Sequence, residues 1–344
     1  MDKKRFVKLL GAVCLALFLS RPATAEVIKL NLAWQDPPQG WGAVQALQPW
    51  LKNVEGATKG KVKIDVFYLQ TLAKGVDAWN ALKSGVADMA WCIHGYWADM
   101  TPLAEVIILP SLPFKTGEKG SEVLWRLYEK FPDIQKQFKD VHVLHFWTSH
   151  PYFLITSRKQ VKTMEDMKGL KIRVTGGPQF EQMKALGAVP VLIPMPDVYQ
   201  SLEKGVVDGM AAPWEAILSF RLYEIVKYYT LVPLCASYHS VSMNLQKWNS
   251  LPKDVQGAMM SVSGLEGSKF WGRHFFDTAE EPVNELAKKG NHQLIKYTVP
   301  PEEVERWTKV AGEPLWNAWV KKMEGKGYPV APEILNAALE MVKR

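Results

Sequence analysis

"NALKSGVADMA" spans residues 80–90, and residues 200–210 repeat its form as "QSLEKGVVDGM". Leu82, Gly85, Val86 and Asp88 of the first copy return as Leu202, Gly205, Val206 and Asp208 of the second. Each copy reads as the last turn of a helix, a glycine stop in the left-handed region, and the start of a short buried strand. One copy is the ordinary step of an α/β sheet. Two copies predict two α/β lobes built alike, whose function depends on what stands at their strand ends.

Reading outward, "VIKLNLAW" (27–34) and "KVKIDVFY" (61–68) have the composition of strands. Between them Val44, Leu47, Leu51 and Val54 recur at helical spacing. Pro49 is expected to kink that helix, because it has no N–H to donate and its ring crowds the preceding turn. Before the second copy, "VHVLHFW" (141–147) is apolar enough for a parallel strand covered on both faces. "GLKIRVTG" (169–176), a helix "PQFEQMKALG" (178–187) and a strand "VPVLIP" (189–194) follow, with Pro178 opening the helix and Gly187 closing it. Asp197 to Gln200 has the form of a capping box. Strands alternating with short helices on both sides of residue ~150 argue for two parallel sheets. From about residue 253 the chain reads as mostly helical, with Val304, Trp307, Val310, Leu315, Ala318 and Trp319 as packing stripes.

The chain has 344 residues and opens on "MDKKRFVKLLGAVCLALFLSRPATA". A basic start, a short apolar run and the exit Ala23-Thr24-Ala25 predict a secretory leader cleaved after Ala25. The run is too short to span a bilayer. Cys14 lies inside it, preceded by Val13, which argues against lipid attachment. The leader carries five basic residues and one acid, so its removal takes the formal net charge from +7 to +3. That mild balance requires neither a nucleic acid nor a membrane surface as partner. The remaining length exceeds one core and fits two lobes. Cys92 and Cys235 read as small buried residues rather than a bridge. The expected location is the periplasm.

Catalytic signatures are absent: there is no G-x-S-x-G, H-E-x-x-H, P-loop or G-x-G-x-x-G. His142 and His145 lie three apart on a strand and are expected on opposite faces. The histidines therefore suggest no metal set, and no cofactor is implied. Gly176-Gly177 admits close approach of a ligand, but a tight turn before Pro178 explains it as well. In open α/β sheets ligands sit beyond the carboxyl ends of the strands. Those ends here carry Trp34, Gln35, Tyr68, Gln70, Trp91, His94, Tyr96, Trp97, Trp147, Phe153 and Trp214, with His239 on a later strand. Arg173 stands alone in an otherwise apolar strand. A buried charge needs a partner, which is either an acid of the protein or a ligand carboxylate gripped by two parallel N–H···O bonds.

Residues 163–217 resemble the substrate-binding proteins of TRAP transporters, the DctP-like family. The resemblance lies in "MKGLKIRV", "ALGAVPV" and "VYQSLEKGVVDG", and downstream in "LYEIVKYYT" and "SMNLQKWNSLPKDVQGAM". Upstream, "VFYLQTLAKG" and "WNALKSGVADMA" fit the first lobe. It covers essentially the whole chain after the leader. It implies a two-lobed periplasmic binding fold of class α/β, with hinge strands and a long lobe-spanning helix. Lobe 1 is then 26–150 with about 238–278, and lobe 2 is 151–237 with about 279–344. It also implies capture of an organic acid and delivery to a small and a large integral membrane subunit, with Arg173 clamping the carboxylate. Ala212 replaces an Asn of the family's "DG-x-x-N-P", and Phe153 stands where sialic-acid binders carry a second Arg. With Trp214 these changes imply a dry pocket for an aromatic or hydrophobic acid, or a 2-oxo acid. A sensor presenting its ligand to a signalling receptor, and a periplasmic enzyme acting on an acid, are the alternative readings.

Overall fold

The computed structural model describes residues 27–343; the leader, with Cys14, lies outside them. The chain first lays down β1 (Ile28–Ala33), β2 (Val62–Phe67), β3 (Met89–Ile93) and β4 (Val141–Thr148). It crosses to a second sheet for β5 (Phe153–Thr156), β6 (Lys171–Val174), β7 (Val189–Leu192), β8 (Gly209–Ala212) and β9 (Tyr228–Leu231). It returns as β10 (Tyr238–Asn244), and a last strand, β11 (Ile295–Thr298), joins the second sheet. That strand interrupts the stretch expected to be helical.

The two sheets have the same plan. The first runs β2-β1-β3-β10-β4 and the second β7-β6-β8-β5-β9, with β11 added at its edge. In each, the fourth position is filled by the strand that has just crossed over, and that strand alone is antiparallel to its neighbours. The sheets are thus mixed rather than parallel throughout, because a strand arriving from the other lobe enters from the opposite end. The repeated phrase occupies the third position of both. Gly85 and Gly205 hold φ of 76° and 70°. Asp88 Oδ2 accepts from Asn31 N at 2.9 Å, and Asp208 Oδ2 accepts from Lys171 N at 2.9 Å. Each aspartate therefore ties the start of its strand to the strand beside it.

Helices cover both faces. On the first sheet lie α1 (Gln48–Ala57), α2 (Ala78–Ser84) and α3 (Gly117–Lys130), and on the second α4 (Pro178–Ala185), α5 (Val198–Glu203) and α6 (Trp214–Ser219). A π turn over Ala43–Leu47 precedes α1, so Pro49 sits in the first turn of a helix rather than inside one. The π turn rotates the buried face onto Ala43, Ala46, Leu47, Trp50 and Val54, leaving Val44 exposed and Leu51 half-buried. Asp197 stands at the N-cap of α5 but makes no capping bond. It ends a 3-10 turn with helical dihedrals, whereas a capping side chain needs an extended residue.

A near-continuous helical run joins the lobes: α7 (Gly264–Trp271), a π turn (Gly272–Asp277) and α8 (Glu280–Lys288). Helix α7 packs on β4 and α3, and α8 packs on α6. Two crossing segments pair with each other, Ser149 N to Ser237 O at 3.1 Å and Tyr152 N to Cys235 O at 3.1 Å. Helix α9 (Pro301–Ala311) lies on the second lobe, its Trp307 in that core. Helices α10 (Glu313–Gly325) and α11 (Ala331–Lys343) instead send Trp319, Met323, Ile334 and Ala338 into the core of the first sheet. The sequence-based grouping of 279–344 with lobe 2 does not describe these contacts. Two apolar stripes alone leave open which lobe they cover.

A bulge between β4 and β10 leaves Leu144 unpaired, since Val241 faces His145 and Ser242 faces Val143. The extra residue reverses the side-chain alternation. His142 and His145 therefore face the same tryptophan-rich cluster rather than opposite sides: His142 stacks on Trp248 at 3.7 Å and His145 on Trp271 at 4.9 Å. Cys92 and Cys235 are free and buried. No described helix is long and apolar enough to cross a membrane.

Candidate ligand-binding site

Strand β6 turns Ile172 and Val174 into the apolar core and places Arg173 on the other side, 2% exposed. Its Nε donates to Ile193 O at 2.8 Å, which fixes the guanidinium plane. Its Nη2 is buried without a hydrogen-bond partner. Among the described residues no carboxylate pairs with Arg173; the neutral phenols of Tyr96 and Tyr152 stand near it. The alternative of an internal ion pair is thus not what this strand builds.

Arg173 opens into a cavity of about 30 Å³ between the sheets. The first lobe contributes Gln35, Trp91, Ile93 and His239, and the second contributes Thr175, Pro213 and Glu215. Tyr152 comes from a crossing segment, and Phe275 and Phe276 from the π turn between α7 and α8. The crossing segment before β5 and the π turn between α7 and α8 thus both reach this cavity. A volume of 30 Å³ holds about two waters, so a larger ligand requires the lobes to part and the walls to repack on it.

The polar groups here are held dry. His239 Nδ1 accepts from Trp91 Nε1 at 3.2 Å, and its Nε2 lies 2.7 Å from Ser237 Oγ. Burial lowers its pKa well below the usual value, so the ring is neutral and Nε2 is the donor. Both amide atoms of Gln35 are buried without partners. Tyr96 Oη accepts from Met195 N at 2.8 Å, a bond that joins the two lobes. A second such bond runs from Trp41 N to Ser219 Oγ at 2.9 Å. A Cβ on Gly176 would stand 2.4 Å from Gly95 O. Gly176-Gly177 is therefore a bare-backbone contact between closed lobes.

The residues singled out from sequence divide into three groups. Arg173 and His239 line the cavity, and Tyr96 stands beside Arg173 at its edge. Trp34 and Trp147 form the layer behind it: Trp34 lies 4.4 Å from Trp91, and Trp147 stacks on His239 at 5.2 Å. The others lie elsewhere. Gln70 accepts from Gly75 N at 2.8 Å within its own loop. His94 faces the opposite side of the sheet, bonded to Ser240 Oγ at 2.9 Å and stacked on Tyr238. Phe153, Ala212 and Trp214 meet one another in the core of the second lobe, with Phe153 and Trp214 4.2 Å apart. Gln35 and Trp91, also named at the strand ends, line the cavity, and its other aromatic walls come from Phe220, Phe275 and Phe276. Asp36 and Glu215 were passed over, although "WQDPP" and "APWEAI" carry the same signal that marked Arg173, a lone charge among apolar residues.

A larger groove, about 470 Å³, runs between Asp99–Pro110, Gly176–Leu192 and α10. Several of its walls are open to solvent, with Phe180 36% and Leu192 48% exposed. It contains no buried cation, so its size does not make it the stronger site.

Two like-built lobes, joined by crossing segments and closed on a buried arginine, define a hinged solute receptor. The comparisons place it within one group of these. Residues 38–323 match the DctP family, described as bacterial extracellular solute-binding protein, family 7, and the chain belongs to that family. It is 32% identical over 297 residues to the C4-dicarboxylate-binding periplasmic protein DctP of Rhodobacter capsulatus, covering 84% of this chain and 82% of that protein. A TRAP solute-binding protein from Rhodoferax ferrireducens, solved with copurified benzoate, superposes with a TM-score of 0.86 at 25% identity, over 92% of this chain and 98% of that one. A marine-metagenome TRAP solute-binding protein specific for aromatic acids, solved with 3-hydroxybenzoate, gives 0.86 at 26% identity with the same coverage of both chains.

Proposed function

We propose that this protein is the periplasmic receptor of a TRAP transporter. It captures an organic acid with one principal carboxylate, aromatic or hydrophobic or a 2-oxo acid, and delivers it to a small and a large membrane subunit. The observation that carries this reading is the free, buried Nη2 of Arg173 facing a cavity with aromatic walls. A charge-assisted bond there contributes about 1.5–3 kcal/mol, and an aromatic ring burying about 150–250 Å² adds a few more. Together they reach micromolar affinity, about −8 kcal/mol. The similarity to receptors holding benzoate and 3-hydroxybenzoate supports an aromatic cargo. The protein carries its ligand rather than transforming it. It reaches the periplasm by cleavage after Ala25.

The test is a thermal-shift panel on mature protein, unfolded and refolded to strip any bound ligand. Aromatic acids at 100 times their Kd should stabilise by about 2.7 kcal/mol, a rise of a few degrees. A rise with dicarboxylates or sugar acids alone would overturn the choice of cargo.

A further inference from the structure

The cavity has a second polar end besides Arg173. Asp36, in the loop after β1, has no exposed surface, and neither Oδ1 nor Oδ2 has a hydrogen-bond partner. Glu215, in the first turn of α6, is 5% exposed and lines the cavity. It accepts one bond, from Ser219 Oγ. Asp36 belongs to the first lobe and Glu215 to the second, and they stand close enough for Glu215 to disfavour ionisation of Asp36. The contact between the lobes that brings them together is the bond from Trp41 N to Ser219 Oγ.

Arg173 does not neutralise them. Tyr152 stands near both Arg173 and Glu215, and Tyr96 near both Arg173 and Asp36. Burial raises both pKa values, Asp36 well above its ordinary range and Glu215 to about 7, so the pair sheds charge, yet neither oxygen of Asp36 has a bond to replace its hydration. The protein's own hydrogen bonds satisfy Glu215 in part and Asp36 not at all. Glu215 lines the ligand cavity, Asp36 stands close to Glu215, and the oxygens of Asp36 are unused acceptors.

We propose that Asp36 and Glu215 form a second polar subsite that takes a hydrogen-bond donor of the cargo, a hydroxyl or an ammonium, placed away from the carboxylate held by Arg173. The cargo is then a hydroxylated or aminated acid rather than a plain aryl acid. This rests on the aromatic-acid reading above. It assigns that cargo a donor, and it makes the lobe contact itself part of recognition, because each lobe supplies one carboxylate.

Titration calorimetry with matched pairs tests it. Hydroxy- and methyl-substituted benzoates and phenylacetates, compared at each ring position, differ in the donor but hardly in size, and aminomethyl analogues supply the ammonium. For at least one position the donor-bearing acid should bind about tenfold or more tightly than its methyl partner. Asp36→Asn and Glu215→Gln should each shrink that ratio to about twofold or less. A ratio near one at every position overturns the subsite while leaving the aromatic-acid reading intact. So does a ratio that both variants leave unchanged. Failure of every aryl acid to bind the wild-type protein overturns both.

Discussion

Arg173 is held by one bond and presents another, which sets what its replacement costs. Arg173→Ala leaves the ligand carboxylate buried and unpaired, a loss of roughly 3–5 kcal/mol; calorimetry should find binding weakened at least a hundredfold. The fold should survive, since Arg173 forms no ion pair with the described residues and its bond from Nε to Ile193 O is a single side-chain contact. His145 shows the opposite case, a buried polar group with no partner at either nitrogen. Burial pushes its pKa down to about 3 from an ordinary 6.5. The folded state keeps it neutral while the unfolded state protonates it, so its contribution is present above pH 6.5 and is lost as pH falls toward 3. His145→Phe should therefore flatten the acid side of the stability curve, measured by denaturant titration from pH 7 to pH 4. Arg173 was legible in the sequence because a single charge in an apolar strand has few explanations. Phe153, Ala212 and Trp214 were not. Whether a residue at a strand end faces the cleft or the core depends on a one-residue register, and Pro213 and Glu215 took the cleft positions beside Trp214.

At the scale of elements, the repeated phrase carried more information than its length suggests. It marked the third strand of both sheets and the aspartate that ties it to its neighbour. What it left unread were departures from regular periods, namely the π turn before α1, the bulge at Leu144 and the π turn at Gly272–Asp277. Each shifts a side-chain register by one residue, and no propensity announces that. The last of these is a close-packed joint. Asp277 Oδ1 and Oδ2 accept from Gly117 N at 2.6 Å and Glu118 N at 3.0 Å, capping α3 from the segment that spans the lobes. The helices touch through glycine, and a Cβ on Gly272 would stand 2.4 Å from Gly117 O and 2.5 Å from Ser121 Oγ. Gly272→Ala should cost about 1–3 kcal/mol as an overpacked contact, read as a lower denaturant midpoint with little change in slope.

For the molecule as a whole, the structure is the closed state of a hinge. The two crossing segments and the run from α7 to α8 are the connections that must bend. The bonds at Tyr96 and Ser219 and the bare contact of Gly95 with Gly176 are those that must break. A Cβ on Gly95 would meet Thr175 Oγ1 at 2.9 Å across the cleft. Gly95→Val should therefore hold the lobes apart, weakening ligand binding about tenfold or more while the unfolding midpoint of the free protein moves little. In the wild type, X-ray scattering should give a smaller radius of gyration with saturating ligand than without. The two-lobed architecture was legible because α/β alternation is a strong pattern. The docking of α10 and α11 on the first lobe was not, because an apolar stripe does not name the surface it covers. The most direct measurement is titration calorimetry of refolded, ligand-free protein with benzoate-class acids, succinate and glucuronate, on the wild type and Arg173→Ala. Micromolar binding of an aromatic acid by the wild type, lost in the variant, is the predicted result. Equal affinity in both proteins, or binding of succinate or glucuronate with no response to any aromatic acid, would contradict it.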